Sequence, residues 1–324
     1  GKEILDKKKS SEKIEFKDIK KILFIRYDGK IGDYMVSSFI YREIKKQRPD
    51  IQIDVVGISK NEGLFLKNKN INNFYKLKKT KYRYLYPLAK RLKKEKYDIL
   101  IDPTEVLKNK DLFFIREINS KINFGYAKES YKIFNKNIEE NNEHITIIYK
   151  KILKELGFGD IDTTYDIPID EEAEDNIEKF FKENNIEKGI AVNLFGAGKT
   201  RKFNLEKSLE LLEYIKMKYS EYKIVLLDSP KDKILLDKIL EVSKDTFYYK
   251  DSKSIFDSIS IIKRSDIVVS PDTSIVHIGV GLGKKVIAFY SSDMKNFNKW
   301  GISSENEIVV YEHDINNLNF STKD

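Results

Sequence analysis

Residues 20–49 read KKILFIRYDGKIGDYMVSSFIYREIKKQRP and contain three local patterns in succession. The first eight residues are rich in isoleucine, leucine and phenylalanine, which is typical of a buried β-strand. A loop with two glycines follows at 28–33. Beyond it, apolar residues recur with helical spacing until Pro49. The stretch therefore predicts a strand, a tight loop and a helix, the beginning of a βαβ unit.

The same alternation continues to the end of the chain, with one interruption. Further strands are predicted at 51–57, 97–102, 121–126, 222–228, 265–270 and 284–290, and residues 189–198 are predicted as a strand that runs into a glycine loop. Helices are predicted at 143–158, 204–219, 231–243 and 274–282. An acidic stretch separates the two runs. We therefore expect an α/β protein with two Rossmann-like domains, each on a parallel sheet and both facing a central cleft. The expected domains are 1–165, with a charged lead-in at 1–19, and 166–324.

Composition excludes several classes of protein. The chain has no cysteine, so it forms no disulfides or thiolate metal sites, which fits a reducing cytoplasm. No apolar run approaches the roughly 18–20 residues that a transmembrane helix needs. The first residues lack the apolar core of a signal peptide. These features predict a cytoplasmic protein.

Charge is distributed unevenly. The net charge is +8, yet residues 76–96 alone contain ten Lys or Arg and one Glu. Residues 159–178 carry nine acids and no Lys or Arg. The basic segment indicates an anionic partner, such as a phosphorylated lipid, a membrane surface or nucleic acid. The alternative is a solvated helix in a lysine-rich protein.

The stretch SPDTSIVHIG joins a predicted strand to a predicted helix. Asp272, Thr273 and Ser274 can each cap that helix. The free amides of its first turn and the helix dipole would then suit an anion such as a diphosphate. His277 lies four residues after Thr273 and hence on the same face. The alternative is a capped helix that contains a packed histidine.

A glycine loop follows another strand, in NLFGAGKTRKFNLEK at 193–207. Gly196 and Gly198 let the backbone come close to a ligand. Positive charge comes from Lys199, Arg201 and Lys202. The glycine spacing and the Lys-Ser/Thr ending of a P-loop are missing. Together with the capped helix, this loop indicates a phosphate-binding site.

The loop at 28–33 contains Gly29 and Gly32 and leads to Asp33 at the start of a helix. A carboxylate is stabilised there by the helix dipole. One interpretation is a simple N-cap. The other is a general base that projects into the cleft between the domains.

These three stretches, in this order, resemble the ADP-heptose–lipopolysaccharide heptosyltransferase family (glycosyltransferase family 9, GT-B fold). That family opens with a strand, a loop ending in Gly-Asp and a helix, as in ILFIRYDGKIGDYMVSS. It has a glycine loop leading to Lys and an aromatic residue, here Lys202-Phe203. It also has an Asp-Thr-Gly-x-x-His signature, here PDTSIVHIGVGLGKKVIAFYSS. The segments YDILIDPTEVLKNK and FNKWG are also similar, and the resemblance covers most of residues 20–302.

The resemblance implies an inverting glycosyltransferase that moves heptose, or a related sugar, from an ADP-linked donor to a lipopolysaccharide-core or similar glycolipid acceptor. Asp33 matches the catalytic base. The donor-side positions, all in the second domain, are Gly196, Gly198, Lys199, Lys202, Asp272, Thr273, Ser274 and His277. Gly32 and Lys108 match the acceptor side, which is assigned to the first domain.

Two departures from the family pattern concern the donor side. Ser274 stands where the family usually has glycine. Because serine has a Cβ, either the backbone there avoids positive φ or the donor lies further away. The loop before Lys202 offers Ala197 and Gly198 where better-known members have paired hydroxyl residues.

The implied chemistry requires no cofactor, because lysine and the helix terminus would stabilise the departing diphosphate electrostatically. The carboxylate cluster of a Mg²⁺ site is not apparent in the sequence. The basic segment at 76–96, with Tyr82, Tyr84 and Tyr86, would contact the membrane that carries the acceptor. This implies a location at the inner face of the cytoplasmic membrane.

Two alternatives remain. A sugar-nucleotide epimerase of similar architecture would bind the same donor but consume it with no acceptor present. A nucleic-acid-binding protein would use the basic segment and bind in a strongly salt-dependent way. Since the sequence contains no recognisable nucleic-acid motif, we expect no nucleic-acid partner.

Overall fold

The structure is a computed structural model that describes residues 2–8, 13–303 and 305–320. Part of the expected lead-in, residues 1 and 9–12, lies outside the described residues. The chain divides into two compact units, Gly1–Pro168 and Ile169–Asp324. Each is built on one six-stranded sheet whose neighbouring strands are all parallel.

The first unit has its sheet in the strand order β3-β2-β1-β4-β5-β6. The strands are β1 (Lys21–Ile25), β2 (Gln52–Gly57), β3 (Asn73–Lys76), β4 (Ile99–Asp102), β5 (Ile122–Tyr126) and β6 (Lys136–Ile138). The helices are α1 (Lys2–Leu5), α2 (Ile31–Ser37), α3 (Phe39–Gln47), α4 (Glu62–Leu66), α5 (Tyr82–Lys94), α6 (Asn109–Ile118) and α7 (Ile145–Glu155). The core strand β1 is apolar almost throughout, because helices cover both faces of such a sheet.

The second unit has its sheet in the strand order β12-β11-β10-β7-β8-β9. The strands are β7 (Gly189–Val192), β8 (Lys223–Leu226), β9 (Phe247–Tyr248), β10 (Ile267–Pro271), β11 (Lys285–Ser291) and β12 (Glu307–Tyr311). The helices are α8 (Glu171–Glu183), α9 (Leu205–Lys218), α10 (Lys233–Val242), α11 (Ile255–Arg264), α12 (Ser274–Gly281) and α13 (Met294–Trp300).

Each sheet has one topological switch point, where the chain's progress across the sheet reverses. In the first unit it lies between β1 and β4, and in the second between β7 and β10. Ligands of open α/β sheets bind outside the carboxyl ends of the strands at such a point. The loops after these four strands are therefore where a site is expected.

The prediction of two α/β halves on parallel sheets is confirmed, and it differs from the structure in its details. The helices α4, α6, α8, α11 and α13 were not predicted. The single helix predicted after the first loop is two helices, which meet at Ser38. Its hydroxyl donates to the carbonyl of Met35 at 2.6 Å. The short strands β3, β6, β9 and β12 were not predicted, because two to five residues at or near a sheet edge give little apolar periodicity. Among the helices of the described residues, none is both long and apolar enough to span a membrane.

Candidate functional site

Asp33 lies in the first turn of α2, just beyond the carboxyl end of β1. Gly32 precedes it as the second residue of the helix. The side chain of Asp33 is 24% exposed, and one of its carboxylate oxygens, Oδ2, lies 3.9 Å from Nζ of Lys30. The loop can turn tightly because Gly29 has φ +69°, and a Cβ there would lie 2.7 Å from Cδ1 of Ile58. The predicted strand, loop and helix thus place this carboxylate at the switch point.

Burial and neighbouring charges act on Asp33 in opposite directions. Burial raises the pKa of the Asp33 carboxyl, and the negative charge of Asp28 raises it further. The cations Arg26 and Lys30 oppose this, and the balance leaves the pKa above its usual range. A carboxylate with a raised pKa is a stronger proton acceptor near neutral pH. The geometry is therefore compatible with the general-base interpretation.

The acceptor-side candidate Lys108 is exposed and lies immediately before α6. Its backbone N–H donates to Oδ2 of Asp111 at 2.9 Å, and Oδ1 of the same carboxylate accepts from the hydroxyl of Tyr27 at 2.7 Å. Asp102, at the end of β4, accepts from the amide and hydroxyl of Thr104 at 3.0 and 2.6 Å. The bond from Tyr27 to Asp111 ties the chain after β1 to the first turn of α6.

In the second unit, Thr273 caps α12 by accepting a hydrogen bond from the amide of Ile275 at 3.2 Å. Asn193, just after β7, donates through Nδ2 to the hydroxyls of Ser270 and Thr273 at 2.9 and 3.3 Å. This buried amide, which was not singled out from the sequence, joins the two loops of the switch point. Ser274 is the first residue of α12 and does not have a positive φ, so its Cβ causes no backbone strain.

His277 follows one turn further along α12 and is only 4% exposed. Asp272 precedes the cap, and its Oδ2 accepts from Nη1 of Arg201 at 3.4 Å and Nδ2 of Asn296 at 3.1 Å. Burial raises the pKa of this carboxyl, and the positive charge of Arg201 opposes the rise. Asp272 thus holds the glycine loop against the start of α12.

The glycine loop is compact for a steric reason. A Cβ on Gly196 would lie 2.2 Å from the carbonyl oxygen of Arg201, so only glycine fits. Gly198 has φ +88°, and Lys199 begins a 3₁₀ turn after it. The backbone of Lys202 then pairs with Phe195 in an antiparallel bridge. The loop is therefore a closed hairpin at the end of β7.

Lys202 has a carboxylate partner that sequence reasoning missed. Its Nζ lies 2.5 Å from Oδ1 of Asp232, whose Oδ2 accepts from the hydroxyl of Ser229 at 2.8 Å. Asp232 follows β8, so its proximity depends on the parallel pairing of β7 with β8. An acidic residue just past the next strand end is the sequence signal that could have found it. Among the described residues, no group of three or more His, Asp or Glu is placed to hold a metal ion.

Comparisons by sequence with known proteins agree on one family. The model of "Glycosyltransferase family 9 (heptosyltransferase)" matches residues 85–323, which include the glycine loop and α12 but not Asp33. A putative lipopolysaccharide heptosyltransferase 4 of Escherichia coli (strain K12) is 28% identical over 280 residues, which are 84% of this chain and 74% of that protein.

Two solved structures share the fold. A glycosyl transferase family 9 protein from Veillonella parvula DSM 2008 has a TM-score of 0.74 at 18% identity, over 90% of this chain and 86% of that one. The ADP-heptose lps heptosyltransferase II of E. coli has a TM-score of 0.72 at 16% identity, over 89% of this chain and 90% of that one.

The two parallel six-stranded sheets have the GT-B fold of these structures, and the family model assigns the chain to the glycosyltransferases. The chain belongs to glycosyltransferase family 9, the heptosyltransferase family.

Proposed function

We propose that the protein transfers heptose, or a related sugar, from an ADP-linked donor to a lipopolysaccharide-core or similar glycolipid acceptor, with inversion. The observation that carries the proposal is a partly buried carboxylate with a raised pKa at one switch point and a capped helix start beside a cationic glycine loop at the other, in one family 9 chain. The names of the relatives, which are lipopolysaccharide and ADP-heptose heptosyltransferases, support the choice of sugar and substrates.

In this proposal the first unit binds the acceptor and Asp33 removes the proton from its hydroxyl as the new bond forms. Gly32 leaves the start of α2 open, and Lys108 is exposed on the loop that follows β4. The carboxylate lies at the carboxyl ends of the strands, where an acceptor would approach it.

The second unit would bind the donor. Gly196 and Gly198 let its diphosphate come close to the backbone, and Lys199 and Lys202 supply positive charge. Further contacts with the donor are proposed for Asp272, Thr273, Ser274 and His277. As the glycosidic bond to the diphosphate breaks, negative charge develops on the departing ADP. The N-terminus of α12 and the lysines would stabilise that charge, so we propose that transfer requires no metal or other cofactor.

Donor identity can be tested by thermal denaturation with ADP, UDP, GDP and CDP. We expect ADP to raise the Tm most, since a ligand that binds only the folded state stabilises it by about 2.7 kcal/mol at 100 times its Kd. The same preparation should release ADP from ADP-heptose only when a glycolipid acceptor is present, and a chelator should not slow it. Consumption of donor without acceptor would contradict transferase activity and favour an epimerase.

We also propose that the surface around α5 rests on the anionic membrane that carries the acceptor, at the inner face of the cytoplasmic membrane. This helix buries Leu85, Ala89 and Leu92 and exposes Tyr82 and Tyr86 by about half. All ten basic side chains of residues 76–96 are exposed: Lys76, Lys78, Lys79, Lys81, Arg83, Lys90, Arg91, Lys93, Lys94 and Lys96. A stripe of cations with half-exposed tyrosines matches the headgroup region of an anionic bilayer.

The position of this surface supports the same proposal. The ring of Tyr82 packs edge-on against Phe113 of α6 at 5.3 Å, so the tyrosine is held in place while half exposed. The chain enters α5 from the carboxyl end of β3. Because β3 is parallel to β1, residues 77–81 lie at the same edge of the sheet as Asp33. A headgroup bound there would be near the candidate base.

Vesicle binding tests the surface. Replacing Lys81, Lys93 and Lys94 by Gln should weaken binding to vesicles on the order of 100-fold, since each basic residue near an anionic surface contributes about 1 kcal/mol. The vesicles would contain about 30% phosphatidylglycerol in phosphatidylcholine, with pure phosphatidylcholine as the comparison. The matched control replaces three exposed lysines of the second unit, Lys231, Lys238 and Lys244. Equal loss in both variants, or tight binding to nucleic acid instead of vesicles, would contradict the proposal.

A further inference from the structure

The side chain of Arg26 is buried at the carboxyl end of β1, with only 1% of its surface exposed. Burying a guanidinium is costly unless its charge and its N–H groups are paired. The mechanism proposed above gives this residue no task. Its contacts, however, lead directly to Asp33.

The guanidinium of Arg26 joins the loop before α2 to the helix itself. Its Nε donates to Oδ2 of Asp28 at 3.2 Å. Its Nη1 donates to the hydroxyl of Ser37 at 2.6 Å, and that hydroxyl donates in turn to the carbonyl of Asp33 at 2.6 Å. The first turn of α2 is thus linked through the hydroxyl of Ser37 to a fully buried guanidinium.

Four titratable or charged groups face Asp33. From the end of β1 and the loop come Arg26, Asp28 and Lys30, and from α7, which packs against α2, comes Tyr149. Lys30 is 67% exposed, so water and salt screen its effect. Arg26 and Asp28 are largely buried, and their charges act with opposite signs on the same carboxylate.

We propose that Arg26 is a positioning residue for Asp33: held by Asp28, it fixes the first turn of α2 and supplies the buried positive charge beside which the Asp33 carboxylate works. The proposal rests on the proposed role of Asp33 as the base. Asp28 has two effects, since it holds the guanidinium in place and also repels the carboxylate of Asp33. Removing Asp28 should therefore lower the pKa of Asp33, and removing Arg26 should raise it.

The test is the pH profile of kcat/KM in Asp28→Asn and Arg26→Met. Without Asp28 the repulsion is gone and the pKa of Asp33 falls, so the acid limb moves to lower pH. Without Arg26 the attraction is gone and the limb moves to higher pH. The ratio of kcat/KM at about pH 5 to that at about pH 8 should be roughly tenfold higher in Asp28→Asn than in Arg26→Met. The matched control Lys30→Gln should move the limb little.

Further measurements exclude a merely structural role. If Arg26 only stabilised the fold, Asp28→Asn and Arg26→Met would both lose activity and have a lower Tm. The acid limbs of their kcat/KM profiles would then move in the same direction or not at all, and that result would overturn the proposal. Should Arg26→Met fail to fold, Arg26→Lys keeps the charge without the two-pronged contact. We then expect an unmoved limb with a lowered kcat, and a displaced limb would contradict the proposal.

Carboxyl ¹³C resonances, assigned by comparison with Asp33→Asn, report the titration of Asp33 without any substrate. The spectra could show the pKa of Asp33 moving in opposite directions in Asp28→Asn and Arg26→Met while the pH profile of kcat/KM does not change. That result would support the positioning role and refute Asp33 as the base. Absence of opposite displacements in a protein that still needs Asp33 for turnover would refute the positioning role alone.

Discussion

Replacing Asp33 by Asn is expected to lower kcat by about 10²- to 10⁴-fold, the usual contribution of a general base. The amide keeps the shape and the position at the start of α2 but cannot accept the acceptor's proton. Since Asp33 lies in the first unit and the proposed donor site in the second, the Tm increase caused by ADP should be unchanged. Single-turnover rates with donor and acceptor at saturation measure the effect.

The pH profile of the wild-type protein is a second test of the proposed role of Asp33 as the base. Burial and Asp28 raise the pKa of Asp33, and a base works only when ionised. Activity should therefore fall on the acid side at a higher pH than for an ordinary aspartate, and that limb should be missing in Asp33→Asn. Asp50→Asn is a matched control, because Asp50 is a surface carboxylate paired with Arg48 at 2.7 Å. Turnover within a few fold of wild type in Asp33→Asn would refute the assignment.

The second large effect is expected for Lys202→Met, which should lower kcat/KM by about 10²- to 10³-fold, as does the loss of one group that stabilises developing charge. In the structure Nζ of Lys202 is paired with Oδ1 of Asp232. The diphosphate of the proposed donor would replace Asp232 as the partner of Lys202. The substitution removes that cation and leaves the Asp232 carboxylate alone. Donor titrations at saturating acceptor measure the loss.

Two controls separate chemistry from folding. Lys231→Met removes an exposed lysine next to Asp232 and should leave both the Tm and kcat/KM near wild type. The double variant Lys202→Met/Asp232→Asn removes the unpaired carboxylate, so we expect it to recover stability without recovering activity. Recovery of activity as well would show that Lys202 acts only by balancing Asp232.

The sequence predicts the framework of this protein well, because its determinants are local. Strands such as β1 and β10 are largely apolar and buried on both faces, and each is followed by a loop with glycine or a capping residue. Asp33 and Thr273 were recognised as candidates from such patterns. Their proposed roles remain predictions until the substitutions above are made.

What the sequence could not show are the partners that tertiary structure supplies. Asp232 is 30 residues from Lys202 and meets it only because β7 and β8 are neighbours in the sheet. Asn193 reaches Thr273 across 80 residues for a similar reason. Arg26 follows the apolar run of β1, and the chain of hydrogen bonds that leads from it to Asp33 passes through Ser37, which lies 11 residues further on. A cation at the end of an otherwise apolar strand is the one sign that was available.

The glycine loop carries three cations, Lys199, Arg201 and Lys202, but two of them already face the carboxylates Asp272 and Asp232. Three positive charges less two negative ones leave a single net charge, so the loop attracts distant anions only weakly. An anion would instead be captured at contact, by exchange of ion partners. When it departs, each carboxylate can recover its cation, so release does not leave bare positive charges behind. Such a site would select among anions by how well their shape fits the loop, and it would release the product readily after each turnover.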